Sequence, residues 1–482
     1  MYLGLDLGTS GLRALLVDEG GVAVAEAQAH YEVRHPHPGW SEQDPSDWIL
    51  ACGSVMTALR DKAPEAMAAL KGIGLSGHMH GAVALDGQGD VIRPCILWND
   101  TRSAEQAAKL DALPGVREVT GNIVFPGFTA PKLAWMAEHE PDLFARIDKV
   151  LLPKDYLVMW MTGEVVSDMS DASGSSWLDT GARVWSDDLL AASGMRADQM
   201  PRVVEGCARV GDLRAPLMAD WGISGPVTVA AGGADNAVAA CGVGCFAEGQ
   251  GFVSLGTSGV LLAAKDSFAP DPATAVHTFC HAVPDRWYQM GVILAATDCL
   301  NWLSKRLKKT PAELAGLLGD VTGPSDVLFL PYLSGERTPH NDSDIRGAFV
   351  GLGVDTDDAT MVQAVMEGVC FALRDCHEAL KATGTDLKSV LAIGGGTKSA
   401  FWVETLATVL DLPLDLPDAG EFGAALGAAH LARVAVTEET PETVMTRPKI
   451  AGTIHPRDDL REAYDAAYHR FTRLYPVMKD VV

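Results

Sequence analysis

Several features that would announce a function are missing from this 482-residue chain. No apolar run approaches the roughly 20 residues of a membrane span. No basic stretch leads into an apolar one at the start, where Asp6 already interrupts the first hydrophobic segment, so no secretory signal is expected. Cysteines number nine, an odd count, and are scattered without a Cys-x-x-Cys pair, which fits reduced thiols in the cytoplasm. Positive charge is short, with 38 Lys and Arg against 63 Asp and Glu and a net charge of -25, which argues against nucleic acid or an anionic membrane as partner. Two nucleotide signatures are absent as well. There is no Gly-x-x-x-x-Gly-Lys-Ser/Thr, and no Gly-x-Gly-x-x-Gly follows the first strand. A cytoplasmic enzyme that is neither a P-loop ATPase nor a dinucleotide-binding protein is expected.

What is present is a repeated turn. Leu-Gly-Thr-Ser-Gly occurs at Leu7–Gly11 and again at Leu255–Gly259, each time after a short apolar run. Such turns between apolar segments predict β-hairpins, whose N–H groups and hydroxyls can grip an anion. Two copies half a chain apart point to two related lobes with a phosphate between them. At 482 residues, 48% hydrophobic and 21% charged, the chain is globular and too long for one core.

The same grammar of elements appears twice. Tyr2–Leu7, Leu12–Val17 and Val22–Tyr31 read as a meander. A helix follows, with Asp44 as cap, Pro45 at its first position and Trp48, Ile49, Cys52, Val55, Met56 and Leu59 on one face; Lys71–Leu75 is then a strand. Later a hairpin surrounds Gly256–Gly259, and a helix spans about Asp358–Ala382. Ser389–Ile393 is a strand, Ser399–Leu410 a helix, and a further helix starts near Gly423. This describes an α/β protein of two similar lobes. The boundary falls near Cys245–Gly251, giving lobes of 1–246 and 247–482 that abut without a linker and enclose a cleft.

Asp6 ends the first strand just before the first turn. It reads as a turn cap or as a carboxylate for Mg²⁺ beside nucleotide phosphates, the metal reading being favoured by Thr9, Ser10 and Arg13 downstream. Asp235, in Ala-Gly-Gly-Ala-Asp235-Asn236, reads either as a helix N-cap or as a general base at a helix start. Gly394–Ser399 is a glycine turn over which an adenine and ribose can lie. Met79 and His80 stand at the C-terminal end of a strand, where α/β proteins bind ligands, and are candidates for a sugar or polyol pocket. His277, Cys280 and His281 only superficially resemble a metal site, since no second pair lies at matching spacing. His35-Pro-His37 reads as a loop.

Together these segments resemble the FGGY carbohydrate kinases, the sugar-kinase branch of the actin, hexokinase and heat-shock ATPase superfamily. The resemblance covers essentially the whole length. It includes Asp6–Gly11, Trp40-Ser-Glu-Gln-Asp-Pro45, Leu97-Trp-Asn-Asp100, Leu152-Pro-Lys-Asp-Tyr156, Ser167-Asp-Met-Ser-Asp171, Gly232–Asn236 and the specific string Phe329-Leu-Pro-Tyr-Leu-Ser-Gly-Glu-Arg-Thr-Pro-His340. It implies two ribonuclease H-like lobes, ATP and Mg²⁺ between them, and phosphorylation of a ketopentose, D-xylulose, at its 5-hydroxyl. By resemblance Asp235 is the catalytic base and Asp6 acts at the metal, while Met79, His80, Asp235 and Asn236 contact the sugar. Thr9, Ser10, Arg13 and Thr257 fall at phosphate positions, and Gly395, Gly396 and Ser399 at the adenosine site. The sugar candidates all precede the lobe boundary, so the first lobe is expected to bind most of the sugar. A homodimer fits the family. His78 stands where ketopentose kinases usually carry glutamine, which opens the alternatives of another pentulose (L-xylulose, ribulose) or a pentitol. An ATP-switched binding module is the alternative from outside the enzymes.

Overall fold

The computed structural model describes residues 1–418 and 423–481. It contains two seven-stranded sheets built on one plan. In the first, strands β1 (Tyr2–Leu7), β2 (Gly11–Val17) and β3 (Ala23–His30) form an antiparallel meander. Helix α1 (Pro45–Lys62) then crosses to β4 (Gly72–Gly77), which runs parallel to β1. Strands β5 (Arg209–Asp212) and β6 (Thr228–Ala230) complete the row, and the short β7 (Gly233–Ala234) also pairs with β4 before helix α2 (Asp235–Gly242) begins.

The second sheet repeats the order. Its meander comprises β8 (Gly251–Leu255), β9 (Gly259–Lys265) and β11 (Trp287–Ile293), with an extra strand β10 (His277–Cys280) on the outer side of β11. Helices α3 (Thr297–Leu307) and α4 (Asp358–Ala382) lead to β12 (Val390–Ile393), parallel to β8. Helix α5 (Ala400–Leu410) leads to β13 (Leu414–Pro417). Helix α6 (Ala424–Thr437) and the edge strand β14 (Ile450–Ile454) follow. Both repeated turns are hairpin turns, with Leu7 opposite Leu12 and Leu255 opposite Gly259.

Local chemistry accounts for these elements. Asp44 accepts a hydrogen bond from the N–H of Ser46 at 3.0 Å and Pro45 opens α1. The apolar face of α1, with Trp48, Cys52, Val55, Met56 and Leu59, is buried against Leu3, Leu5 and Leu7 of β1. On the opposite face Tyr2, Leu15 and Val17 are buried against Leu426 and Ala429, and strand glycines lie among them. A Cβ on Gly4 would lie 1.7 Å from the carbonyl oxygen of Ala425, and one on Gly74 1.9 Å from that of Ala428. Helix α6, which follows the second sheet in the chain, therefore packs main chain to main chain under the first sheet. Its Gly427 makes the same kind of contact with α2, where a Cβ would sit 1.8 Å from the oxygen of Val238.

Because no side-chain motion can relieve a clash between two main chains, Gly427→Ala is expected to destabilise the protein by about 2 kcal/mol or more. Gly452→Ala, where nothing lies within 4 Å of the new methyl, is expected to be nearly neutral. Thermal unfolding of the two variants measures the contrast; equal melting temperatures would refute the close-contact account of α6.

Candidate active site

The first turn is closed by the N–H of Gly8 donating to the oxygen of Gly11 at 3.0 Å. Just before it, Asp6 lies in register with Arg13 of β2 on one side and Ser76 of β4 on the other. Burial raises the pKa of Asp6 above its ordinary value, while Ser76 and Arg13 act in the other direction. The hydroxyl of Thr9 accepts from the indole N–H of Trp98 at 3.0 Å and its carbonyl from the amide of Gln43 at 2.6 Å. Ser10 is exposed, and Arg13 donates to Glu26 at 2.7 Å.

The second turn leaves Thr257 and Ser258 exposed. Its carbonyls accept from the start of α3, Gly256 from the N–H of Thr297 at 2.9 Å and Thr257 from that of Ala296 at 2.8 Å. Beside it lies the glycine turn after β12. Gly394, at φ +95°, approaches Leu255 so closely that a Cβ would meet its carbonyl oxygen at 2.7 Å, whereas Gly395 faces open space. Ser399 caps α5, its hydroxyl accepting from the N–H of Trp402 at 3.3 Å. The second Gly-Thr-Ser-Gly turn and the glycine turn thus stand side by side at the C-terminal ends of parallel strands, the usual ligand edge of such sheets.

Asp235 is the first residue of α2 and is not its cap: Ala234 holds that position, without a side-chain bond. Oδ1 of Asp235 accepts from both the backbone N–H of Asn236 at 2.6 Å and its side-chain amide at 2.9 Å. Burial, followed by the nearby negative charge of Asp6, pushes the Asp235 pKa up to about 6. Gly233 and Asp6 both pair with Ser76 of β4, so the two carboxylates sit across one strand from each other.

A buried polar cluster supports this corner. The N–H of Ala234 donates to the hydroxyl of Ser170 at 3.0 Å, and Ser170 donates to Asp168 at 2.5 Å. Lys154 bonds Asp155 and reaches Asp168 at 2.7 Å and Asp171 at 3.7 Å. These carboxylates are spaced like metal ligands, but the ammonium stands among them. Burial disfavours charged Lys154, yet the three carboxylates outweigh it and hold its pKa above the ordinary value.

Next to Asp235 is a mixed wall. Met79 is buried, with its sulfur 3.9 Å from the hydroxyl of Tyr288. His80 has φ +71°, a costly conformation for a residue with a side chain. It is held there by Nδ1–H donating to the oxygen of Gly174 at 2.6 Å, and by Lys132 and Thr129 donating to its carbonyl at 2.6 and 3.2 Å. Its ring stacks on Phe128 with centroids 4.3 Å apart. Burial lowers its pKa to about 3, so the ring is neutral and offers Nε2 as an acceptor.

Two findings were not legible in chain order, and the sequence reading of the other histidines stands. His277, Phe279, Tyr288 and Arg337 of the second half also stand on this wall, so the first half does not build it alone. His78 does not line it: both ring nitrogens are buried without a hydrogen-bond partner among the described residues, and the ring packs edge-on against Trp48 at 5.6 Å. His277 and His281 are not arranged as metal ligands. His277 contacts Asn122 at 3.2 Å, His281 contacts the carbonyl of Cys245 at 3.1 Å, and neither belongs to a metal-ligand cluster among the described residues. His35 bonds within its loop, to the carbonyl of Trp40 at 2.9 Å.

Comparison with known proteins places the chain among carbohydrate kinases. Residues 1–242 match the N-terminal domain of the FGGY family of carbohydrate kinases and residues 251–436 its C-terminal domain. The chain is 44% identical over 486 residues to a xylulose kinase of Klebsiella pneumoniae, covering 100% of both. It is 45% identical to a xylulose kinase of Escherichia coli K12, covering 98% of both. A crystal structure of a xyloylose kinase from Brucella ovis superposes with a TM-score of 0.98 at 55% identity, over 100% of both chains.

Removing the like charge across β4 lowers the cost of ionising Asp235. Asp6→Asn is therefore expected to bring the Asp235 pKa down from about 6, measured by carboxyl ¹³C shifts against pH. An unmoved titration would show that the two carboxylates do not interact.

Proposed function

The chain belongs to the FGGY family of carbohydrate kinases, and from that membership we propose that it transfers the γ-phosphoryl group of ATP to the 5-hydroxyl of D-xylulose, giving D-xylulose 5-phosphate. The observation that carries the reading is Asp235. It is a partly exposed carboxylate at a helix start, oriented by Asn236, with its pKa pushed up to about 6. At neutral pH it is mostly ionised and still basic enough to take a proton from a hydroxyl as the oxygen attacks phosphorus.

Asn236 points the base, and the Ser170 bond to Ala234 fixes the backbone from which it projects. Met79 forms an apolar side of the sugar pocket, and Nε2 of His80 accepts from a sugar hydroxyl. Thr9, Ser10 and Arg13 on one turn and Thr257 on the other receive the terminal phosphates. Gly395 and Gly396 leave room for adenosine, and Ser399 contributes by capping the helix behind it. Mg²⁺ fits at Asp6: a single strand-end carboxylate whose pKa burial raises is the sparse donor set that this ion uses together with phosphates and water. Bound there, it would neutralise phosphate charge and relieve the repulsion between Asp6 and Asp235.

ADP release over a panel of pentuloses and pentitols tests the substrate, with D-xylulose expected to give the highest kcat/KM. Asp235→Asn is expected to lower turnover on the order of 10²- to 10⁴-fold while nucleotide still binds. Because the base acts only when ionised, kcat/KM of the wild type should fall with decreasing pH below about 6. Turnover of the variant within a few-fold of wild type would remove Asp235 from this role.

A further inference from the structure

Arg337 is a cation on the sugar side that the reaction as described leaves unused. Its Nη1 lies 3.4 Å from Nε2 of His277, and its guanidinium sits 4.7 Å from the centre of the Phe125 ring. Among the described residues no carboxylate is within ion-pair distance of it. The adjacent Glu336 is no counter-charge, because burial pushes that carboxyl up to about 8 and it is largely protonated at neutral pH. Asn122 Oδ1 accepts from the N–H of Thr278 at 3.1 Å and therefore also takes the Nδ1–H of His277. His277 is left with Nε2 as an acceptor for one Arg337 donor, and the rest of the guanidinium fork is uncommitted. Arg337 remains charged, although burial disfavours its charged form. Arg337 is only partly buried, so its uncommitted donors stay accessible to a ligand that enters along the wall.

The order of contacts along the wall fixes which part of a ligand it meets. The charge of Asp235 acts on the Tyr288 hydroxyl, and Tyr288 touches Met79. Met79 and His80 both flank Gly174, and His277 follows beyond Phe128. Arg337 thus stands at the end of the wall away from the base. We infer that Arg337 donates to the oxygens at the C1–C2 end of the ketose while Asp235 faces the 5-hydroxyl. A carbonyl beside a hydroxyl presents adjacent acceptors, the arrangement that a guanidinium fork matches and a lysine does not.

This inference rests on the ketose-kinase reading, and glycerol separates the two. Glycerol reproduces C3–C5 of the sugar and has nothing at C1–C2. Arg337→Gln is expected to raise KM for D-xylulose by about tenfold or more, and to change the KM or inhibition constant of glycerol and the KM of ATP by less than about twofold. Arg337→Lys should retain part of the difference. Equal losses for ketose and glycerol, or an unchanged ketose KM in a variant that melts like wild type, would overturn the assignment. Wild-type turnover of the ketose judges the proposed function separately. The variant-to-wild-type ratio judges Arg337 on whichever ketose the enzyme prefers.

Discussion

The molecule depends on the absence of side chains at the glycines where helix α6 meets the first sheet. Gly4 and Gly74 let the carbonyls of Ala425 and Ala428 reach the strands, and Gly427 lets the same helix touch α2 at Val238. Contacts this short leave no gap for water and gather dispersion from main-chain atoms on both sides. Their importance lies in what else these elements carry. Strand β1 bears Asp6 two residues beyond Gly4, and α2 bears Asp235 at its head. One helix therefore serves as the common reference surface for both carboxylates, which belong to segments more than two hundred residues apart.

Electrostatics are arranged around that frame. With a net charge of -25, the proposed binding of a nucleotide's phosphates falls to local donors: turn N–H groups, the hydroxyls of Thr9, Ser10 and Thr257, and Arg13, which also bonds Glu26. The one deeply buried ammonium beside the base corner, Lys154, does not face the cleft; it neutralises Asp155 and Asp168 and so stabilises the hydrogen bond from Ala234 to Ser170. The fully buried Lys132 likewise has a backbone task, holding the carbonyl of His80. Burial lowers its pKa to about 7, consistent with a site where a cation is tolerated only for its geometry.

Much of this was legible in the sequence wherever the signal is local. Alternation placed the meanders, Asp44-Pro45 placed the start of α1, and the paired Gly-Thr-Ser-Gly turns placed both hairpins. Asp6 and Asp235 stood out because each ends a strand or opens a helix. The sugar wall was not legible in the same way. Tyr288, His277 and Arg337 reach Met79 and His80 from strands and loops some two hundred residues away, and periodicity carries no information about such meetings. The placement of His78 was not legible for a related reason. The chain turns after β4, with His80 in the left-handed region, so His78 packs inward against Trp48 although its neighbour Met79 is on the wall.

The two halves are copies in plan but not in what was added to the plan. The shared parts, a meander followed by a parallel strand, carry the phosphate turns and the glycine turn. Strand β10, outside the second meander, carries His277 and Phe279, and the segment that holds Phe125 and Phe128 is likewise an insertion between strands of the first sheet. Much of the wall beside Asp235 thus comes from what was added to the plan, although Met79 and His80 directly follow the shared strand β4. On the proposed function, redrawing the appended strand and loops would reshape the wall while leaving the repeated core and its turns in place.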